Sequence, residues 1–239
     1  MSSPYPTLEV AVFADGANRD DMLKRNREGF VRGFTTNPTL MAKAGLRDYE
    51  QFAKSVLTEI TDRPISFEVF SDDFAEMEQQ ALRIGGWGKN VNVKIPITNT
   101  KGESALGLVK RLLEKNLKLN VTAVFTQEQL DGLEKILKPQ DDVIISIFAG
   151  RIADTGVDPM PLMRQAVAQF GQLPKAKILW ASPRETLNIY QADACGCHII
   201  TATDDLISKL KQHGKSLQEF SLETVKMFYA DAQRAGFSL

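Results

Sequence analysis

Short apolar segments alternate with longer amphipathic segments from one end of the chain to the other. The apolar segments are rich in Val and Ile and are bounded by turn residues, a pattern that predicts buried β-strands. In the longer segments apolar residues recur at steps of three and four, which predicts helices with one buried face. The predicted strands are residues 8–14, 31–36, 65–70, 91–96, 119–125, 143–148, 178–181 and 198–201. The predicted helices are residues 20–27, 40–44, 48–60, 72–84, 103–115, 126–137, 159–170, 185–194, 204–212 and 217–235.

The order of these elements predicts the fold class. Each of the eight predicted strands is followed by a helix, and the helix over residues 217–235 is additional. Such an alternation predicts an α/β fold, a (β/α)8 TIM barrel with an extra C-terminal helix. One barrel usually takes about 250 residues, so we expect residues 1–239 to form a single domain. The alternative is a doubly wound sheet, but no predicted strand is followed by the G-x-G-x-x-G fingerprint of a dinucleotide site.

One lysine interrupts the fourth predicted strand. Lys94 is the single charged residue in the segment of residues 91–98, and Pro96 ends the strand because it lacks an N–H. Lys94 therefore lies near the carboxyl end of a buried strand, where α/β barrels build their sites. An unprotonated amine in that place can form a Schiff base with a carbonyl group. The alternative is a lysine whose stem is buried while its ammonium group extends to solvent.

Other polar residues follow the predicted strands at the same end of the barrel. Taken singly, each of them also fits a helix cap or a solvated loop. Together they place two acids, one amine, several hydroxyl groups and two guanidinium groups around one opening. Beside Lys94, the candidates are Asp15, Thr35, Thr36, Asn37, Glu68, Asn120, Thr122, Ser146, Phe148, Arg151, Ser182 and Arg184.

These residue types suit one kind of chemistry. If Lys94 attacks a ketone, Glu68 and Thr122 can position the proton and the water that imine formation requires. Asp15 can then accept a proton from a hydroxyl group while the adjacent carbon–carbon bond breaks. Arg151 and Arg184 follow the sixth and seventh strands, and their guanidinium groups suit a sugar phosphate dianion.

Composition and charge exclude several classes of protein. Hydrophobic residues at 43% and charged residues at 25% are typical of a globular protein, and the net charge of −1 gives no reason to expect a nucleic-acid partner. No apolar segment approaches the about 20 residues that span a membrane, and residues 1–6 show no signal-peptide pattern. We therefore expect a cytoplasmic protein without membrane partners.

The two cysteines do not predict a metal site. Cys195, Cys197 and His198 form a C-x-C-H motif, but the motif lacks a second pair of ligands. We interpret both as buried thiols beside a strand and predict no metal ion.

The motifs around the predicted opening resemble the transaldolase and fructose-6-phosphate aldolase family, class I aldolases built on an α/β barrel. The resemblance extends from about Val10 to Leu210 and is most similar to the compact bacterial transaldolases. The motifs that carry it are Phe13-Ala14-Asp15, Gly33-Phe34-Thr35-Thr36-Asn37-Pro38, Val93-Lys94-Ile95-Pro96, Asn120-Val121-Thr122, Ser146-Ile147-Phe148-Ala149-Gly150-Arg151-Ile152 and Ala181-Ser182-Pro183-Arg184.

The resemblance implies a role for each candidate. Lys94 forms the Schiff base, Asp15 is the acid and base of carbon–carbon cleavage, and Glu68 with Thr122 positions the catalytic water. The substrate-binding set is Thr35, Thr36, Asn37, Asn120, Ser146, Phe148, Arg151, Ser182 and Arg184, with Asn37 and Asn120 on substrate hydroxyl groups and Arg151, Ser182 and Arg184 near the phosphate. The resemblance implies sugar-phosphate substrates and no cofactor, and we expect a homo-oligomer.

Two positions favour one branch of this family. The chain resembles the transaldolases of the family at these positions, because they have glutamate and phenylalanine where this chain has Glu68 and Phe148. The aldolases of the family have glutamine and tyrosine there. The resemblance thus implies transfer of a dihydroxyacetone unit from sedoheptulose 7-phosphate or fructose 6-phosphate to an aldose phosphate. The alternatives are an aldolase that releases free dihydroxyacetone and a non-catalytic sugar-phosphate sensor. Ile147 and Pro183 depart from the family pattern beside the predicted anion site.

Overall fold

Eight parallel strands close into a barrel in the computed structural model, which describes residues 4–237. The strands pair in chain order, and the last strand pairs with the first, so the sheet has no free edge. The predicted TIM barrel is therefore confirmed, and the alternative of an open doubly wound sheet is wrong. The strands are β1 (Ala11–Asp15), β2 (Gly33–Thr35), β3 (Ile65–Glu68), β4 (Val91–Pro96), β5 (Leu119–Val124), β6 (Val143–Ile147), β7 (Ala176–Trp180) and β8 (Ile199–Ala202).

Helices connect successive strands and cover the outside of the barrel. One of them, a helix of six residues directly after β6, is absent from the sequence prediction. The helices are α1 (Arg19–Glu28), α2 (Pro38–Lys43), α3 (Tyr49–Leu57), α4 (Phe74–Gly85), α5 (Leu106–Glu114), α6 (Gln127–Glu134), α7 (Ala149–Asp154), α8 (Met160–Gln169), α9 (Leu187–Ala194), α10 (Asp204–Lys209) and α11 (Leu217–Ala235).

Local sequence signals account for several element boundaries. Pro38 occupies the first turn of α2, and Asn37 caps that helix by accepting a hydrogen bond from the Leu40 N–H. Thr126 caps α6 in a capping box with Gln129, as its position before the helix predicts. β4 ends at Pro96. β3 is shorter than predicted, and β7 begins two residues earlier than predicted.

The main core lies between the barrel and its helices. Side chains alternate along each strand, and those pointing outward are apolar, including Phe34, Phe67, Val93 and Ile95. They pack against the inward faces of the helices, where residues such as Leu112 have no exposed surface. Burial of this apolar surface stabilises the barrel. The side chains that point into the barrel therefore need not all be apolar.

The additional C-terminal helix is present but packs differently from the others. α11 contains 19 residues, and none of them is buried. Its apolar side chains, among them Leu217, Val225 and Phe228, are exposed. Within residues 4–237, no helix is both long and apolar enough to span a membrane.

Candidate active site

Lys94 lies inside the barrel, with its amine enclosed by protein. Only 6% of the residue is exposed, so the alternative of a lysine that extends into solvent is wrong. Its Nζ atom is 2.9 Å from Glu68 Oε2 and donates a second hydrogen bond of 2.9 Å to the Thr36 carbonyl oxygen. β3 and β4 pair with Glu68 directly opposite Lys94, so the strand register brings the two side chains together. A buried amine with a carboxylate partner can exchange its proton locally.

A second carboxyl group faces the same amine from β1. Loss of water around the Asp15 carboxyl raises its pKa above the ordinary value, and the Lys94 cation and a hydrogen bond from Thr35 both lower it. Thr35 Oγ1 donates to Asp15 Oδ1 over 2.7 Å and is also hydrogen-bonded to the hydroxyl group of Thr201. Asp15 is therefore placed to take or give a proton close to Lys94.

A buried amide lies on the other side of Lys94. Asn120 is directly opposite Lys94 in the β4–β5 register and has no exposed surface. Its Nδ2 donates to Ser66 Oγ over 3.1 Å, and its Oδ1 accepts a hydrogen bond of 2.6 Å from Ser146. These two serines fix the orientation of the amide and leave one of its N–H groups for a substrate oxygen.

Thr122 has an unused hydroxyl group beside the lysine. Its Oγ1 is buried and has no hydrogen-bond partner among the described residues. The β5–β6 register shifts between Val121 and Val124, and Ala123 has a left-handed φ of 59°. Such an irregularity reorients side chains next to active sites. A buried hydroxyl group without a partner is available to a polar group of a substrate.

Two arginines lie at one side of the opening. The Arg151 guanidinium is 5.3 Å from the centroid of the Phe148 ring. Arg184 forms a two-point ion pair with Asp154. α7 approaches the segment after β7 so closely that a Cβ on Gly150 would lie 1.5 Å from the Ser182 carbonyl oxygen, so only glycine fits there. Ser182 itself has a left-handed φ of 57°.

A cavity of about 480 Å³ joins these groups at the carboxyl end of the barrel. All the predicted site residues line it except Thr36. The Thr36 hydroxyl donates to the Ser66 carbonyl oxygen over 3.2 Å, so its side chain is used within the sheet. Thr36 therefore contacts the site through its carbonyl oxygen, and its place in the substrate-binding set stays a prediction. The residues brought together are Asp15, Thr35, Asn37, Glu68, Lys94, Asn120, Thr122, Ser146, Phe148, Arg151, Ser182 and Arg184.

The sequence prediction missed other residues of this site. Thr201, on β8, lines the cavity and contacts Thr35, and its place at the end of a predicted strand was a usable signal. Tyr49 is less visible from sequence: its hydroxyl group donates to the Glu68 carbonyl oxygen over 2.9 Å and accepts from the Glu68 N–H over 2.6 Å. Burial raises the Tyr49 pKa, so the phenol stays protonated and fixes the backbone of Glu68.

The structure also locates the two cysteines. Cys195 and Cys197 are both buried beside β8, as predicted. Within residues 4–237, no three His, Cys, Asp or Glu side chains are grouped in a way that could hold a metal ion.

Comparison with known proteins identifies the family. A family profile described as Transaldolase/Fructose-6-phosphate aldolase matches residues 12–239. The chain belongs to the transaldolase/fructose-6-phosphate aldolase family. The match covers all but the first residue of β1, the other seven strands and every residue that lines the cavity.

Two members of the transaldolase/fructose-6-phosphate aldolase family illustrate the degree of similarity. A "Probable transaldolase" of Thermoanaerobacter sp. (strain X514) is 32% identical over 95% of this chain and 99% of its own length. A "Probable transaldolase" of Streptococcus equi subsp. equi (strain 4047) is 37% identical over 84% of this chain and 90% of its own length.

A solved structure shares the fold. The structure of 2,3-dimethylmalate lyase, a PEP mutase/isocitrate lyase superfamily member, matches over 97% of this chain and 85% of its own with a TM-score of 0.57. At 10% identity, that last likeness shows the barrel fold alone.

Proposed function

We propose that the protein is a transaldolase that transfers a dihydroxyacetone unit from a ketose phosphate to an aldose phosphate through a Schiff base on Lys94. The observation that carries the proposal is the enclosed Lys94 amine, 2.9 Å from Glu68 and in the same cavity as Asp15. Sedoheptulose 7-phosphate and fructose 6-phosphate are the proposed donors. We place the reaction in the cytoplasm and in the pentose phosphate pathway.

Schiff-base formation begins when Lys94 transfers its proton to Glu68 and the neutral amine attacks the C2 carbonyl of the donor. The carbinolamine then loses its hydroxyl group as water, with Glu68 returning the proton to the leaving oxygen. Thr122 Oγ1, buried and unpartnered, is placed to hydrogen-bond that oxygen. The hydrogen bond from Nζ to the Thr36 carbonyl oxygen orients the amine toward the cavity.

Carbon–carbon cleavage requires a base at the C4 hydroxyl group of the donor. The ionised Asp15 carboxylate accepts the hydroxyl proton, the C3–C4 bond breaks, and its electron pair forms the enamine with the iminium nitrogen as electron sink. The aldose phosphate leaves, and attack of the enamine on an acceptor aldehyde reverses these steps. The raised pKa of Asp15 suits a group that takes up a proton and then returns it.

Retention of the enamine distinguishes a transferase from a simple aldolase. Phe148 presents an apolar ring to the cavity, and its centroid is 5.6 Å from that of the tilted Phe125 ring. A phenol at this position could orient water that protonates the enamine, and phenylalanine has no hydroxyl group to do so. Phe148 therefore supports transfer to an acceptor over release of free dihydroxyacetone.

The phosphate group is proposed to bind where Arg151, Ser182 and Arg184 line the cavity. Guanidinium groups match the geometry of a phosphate through paired hydrogen bonds. At the other side of the cavity Asn37 uses Oδ1 to cap α2, which leaves its Nδ2 donors for a substrate hydroxyl group.

An acceptor-dependence assay tests this proposal. The enzyme is incubated with fructose 6-phosphate with and without erythrose 4-phosphate, and sedoheptulose 7-phosphate and free dihydroxyacetone are both measured. We expect rapid turnover only with the acceptor present. Rapid release of dihydroxyacetone without an acceptor would assign the aldolase activity instead. Sugar-phosphate binding that survives Lys94→Met, with no turnover by the parent enzyme, would assign the sensor.

We also propose a homo-oligomer. The exposed apolar side chains of α11 support it, because contiguous apolar surface commonly marks a protein contact. Sedimentation velocity on the full chain should give a mass above the 26.6 kDa of one chain. A monomer at micromolar concentration would contradict it.

A further inference from the structure

The two cysteines lie away from the lysine, at the opposite end of the barrel. Cys195 directly follows α9, and Cys197 precedes β8. They lie at the amino end of β8, whereas Thr201 at its other end contacts the catalytic cavity. Cys195 is 7% exposed and Cys197 is 4% exposed, and the proposed reaction uses neither of them.

The backbone makes a tight turn between the two cysteines. Gly196 has a left-handed φ of 73°, and the chain turns tightly enough for the Cys197 N–H to donate to the Ala192 carbonyl oxygen over 3.0 Å. The Cys195 thiol donates to the same oxygen over 3.2 Å. Sharing one acceptor places the Cys195 sulfur against the backbone of Cys197. The C-x-C turn is therefore formed before any covalent change.

The two thiols have different electrostatic surroundings. The neighbouring Cys197 side chain has the largest effect on the pKa of Cys195 and lowers it; burial opposes this, and the charge of Arg164 adds a smaller lowering. Burial and the neighbouring sulfur raise the pKa of Cys197. Because the thiolate is the reactive form of cysteine, Cys195 is the nucleophile of the pair and Cys197 is its neighbouring thiol.

A cavity at the amino end of the barrel gives a small molecule access to the turn between the two cysteines. It has a volume of about 470 Å³ and is lined by Gly196 and Cys197, with Arg32, Lys177 and Asp193 at its border; Cys195 itself does not line it. A hydroperoxide the size of hydrogen peroxide is neutral and fits such a space. Larger alkylating reagents would meet two sulfur atoms that are almost fully covered.

We propose that Cys195 and Cys197 are a redox modification site, which a small hydroperoxide converts into a reversible intramolecular disulfide. The Cys195 thiolate attacks one peroxide oxygen, the O–O bond breaks, and hydroxide leaves, so that sulfur is oxidised to a sulfenic acid and the peroxide is reduced. The Cys197 sulfur then attacks the Cys195 sulfur and the S–O bond breaks. The departing hydroxide takes the Cys197 proton as water. Two thiols and one hydrogen peroxide thus give one disulfide and two water molecules.

The glycine between the cysteines permits this closure. A left-handed φ carries no steric cost for glycine, and the nearest atom to a Cβ placed there, on Val167, is 3.7 Å away. Oxidation also withdraws the Cys197 thiol from the carbonyl oxygens of Ile178 and Ile199, to which it donates over 3.2 Å. The disulfide therefore forms in competition with these bonds, which makes it readily reducible by a dithiol.

Mass spectrometry of the folded, full-length protein tests the proposal. The protein is treated with hydrogen peroxide, quenched, denatured in N-ethylmaleimide and weighed intact. We expect loss of the mass of two hydrogen atoms, no maleimide adducts, and recovery of two adducts after dithiothreitol. These two residues are the only cysteines of the chain, so the change is assigned without ambiguity.

Single variants separate the two roles. Cys197→Ser should accumulate a sulfenic acid that dimedone traps on Cys195, and Cys195→Ser should react with peroxide at least about tenfold more slowly than Cys197→Ser, because it lacks the activated thiol. Two free thiols after peroxide treatment of the parent protein, or direct oxidation to sulfinic acid without a disulfide, would overturn the proposal. Neither readout uses catalysis, so the outcome is independent of the transaldolase assignment.

Discussion

The interior of the barrel is divided into two unlike halves. From β2 to β5 most of the inward side chains are polar, and Gly33 and Pro96 are the exceptions. From β6 around to β1 most of them are apolar and form one buried cluster. The polar half contains Thr35, Ser66, Glu68, Asn92, Lys94, Asn120 and Thr122, and the apolar cluster contains Phe13, Ile144, Leu179, Ala181 and Ile199.

The two halves are ordered by different forces. In the apolar half, close packing sets the positions of the side chains. The Phe13 ring fills the space next to Gly33, where an added Cβ would lie 2.5 Å from the ring. In the polar half, ion pairs and hydrogen bonds set the positions of the side chains, such as those of Lys94 with Glu68 and Thr36. Lys94 is only 6% exposed, and electrostatic interactions are stronger where little water surrounds the charges.

The largest effect should come from removing the amine at the centre of the polar half. Lys94→Met should reduce turnover by at least about 10⁴-fold, because no other group can form the Schiff base. Turnover is measured with fructose 6-phosphate and erythrose 4-phosphate. The double variant with Glu68→Gln is the matched control. It should be equally inactive but more stable than the single variant, since it leaves no carboxylate without its cation. Appreciable turnover by Lys94→Met would remove Lys94 from the mechanism.

The next largest effect should follow the loss of the proton acceptor at the edge between the halves. Asp15→Asn should lower kcat by about 10²–10⁴-fold, as expected for loss of a general base. Lys94 remains, so the variant should still form the Schiff base with the donor. Unchanged kcat, or a variant unable to form the Schiff base, would assign Asp15 a different role.

Disturbing the apolar half should change stability rather than chemistry. Gly33→Ala should lower the free energy of unfolding by about 1–3 kcal/mol, because the new Cβ overlaps the Phe13 ring. Urea unfolding followed by circular dichroism measures it. Gly16→Ala is the control, since its Cβ would have no atom within 4 Å, and it should cost much less. Equal effects of the two substitutions would mean that packing at Gly33 is not limiting.

The smallest effect should be a shift in pH dependence. The Thr35 hydroxyl lowers the pKa of Asp15, so Thr35→Val should raise that pKa further. Because Asp15 must be ionised to accept a proton, the acid limb of kcat/KM should move to higher pH. Activity should be lost mainly on the acid side and recover as the pH rises. Thr35→Ser keeps the hydroxyl group and should keep the profile of the parent enzyme. An acid limb that stays in place would show that a different group controls it.

Most of the fold follows from local patterns, because each strand and helix has its own periodicity. The eight strands and the helix over residues 217–235 were predictable in this way. α7 was missed because it begins directly after β6, with only Phe148 between them, and the predicted strand extended over Phe148; Arg151 was therefore assigned to the end of a strand. The exact ends of β3 and β7 depend on pairing with neighbouring strands, which the local sequence does not contain.

Residues of the site were predictable from their positions at the ends of strands. They were less predictable where the pairing register of the strands determines which side chains meet. Thr36 was grouped with Thr35, although the alternation of side chains along a strand already places neighbours on opposite faces. The contact from Lys94 to the Thr36 carbonyl oxygen and the two hydrogen bonds between Tyr49 and Glu68 join distant segments. Such contacts arise only when the barrel closes. The left-handed φ of Ser182 was likewise not predictable from the sequence. Most left-handed positions of the chain are glycines, and a serine does not indicate this conformation.

Borohydride trapping of the donor tests the central claim most directly. The protein is incubated with fructose 6-phosphate, reduced with sodium borohydride, digested and examined by mass spectrometry. We expect a stable adduct with the mass of the reduced donor or its dihydroxyacetone fragment, confined to the peptide that contains Lys94 and absent from Lys94→Met. An unmodified Lys94 peptide in the parent protein, or an adduct on another lysine, would contradict a Schiff base at this amine.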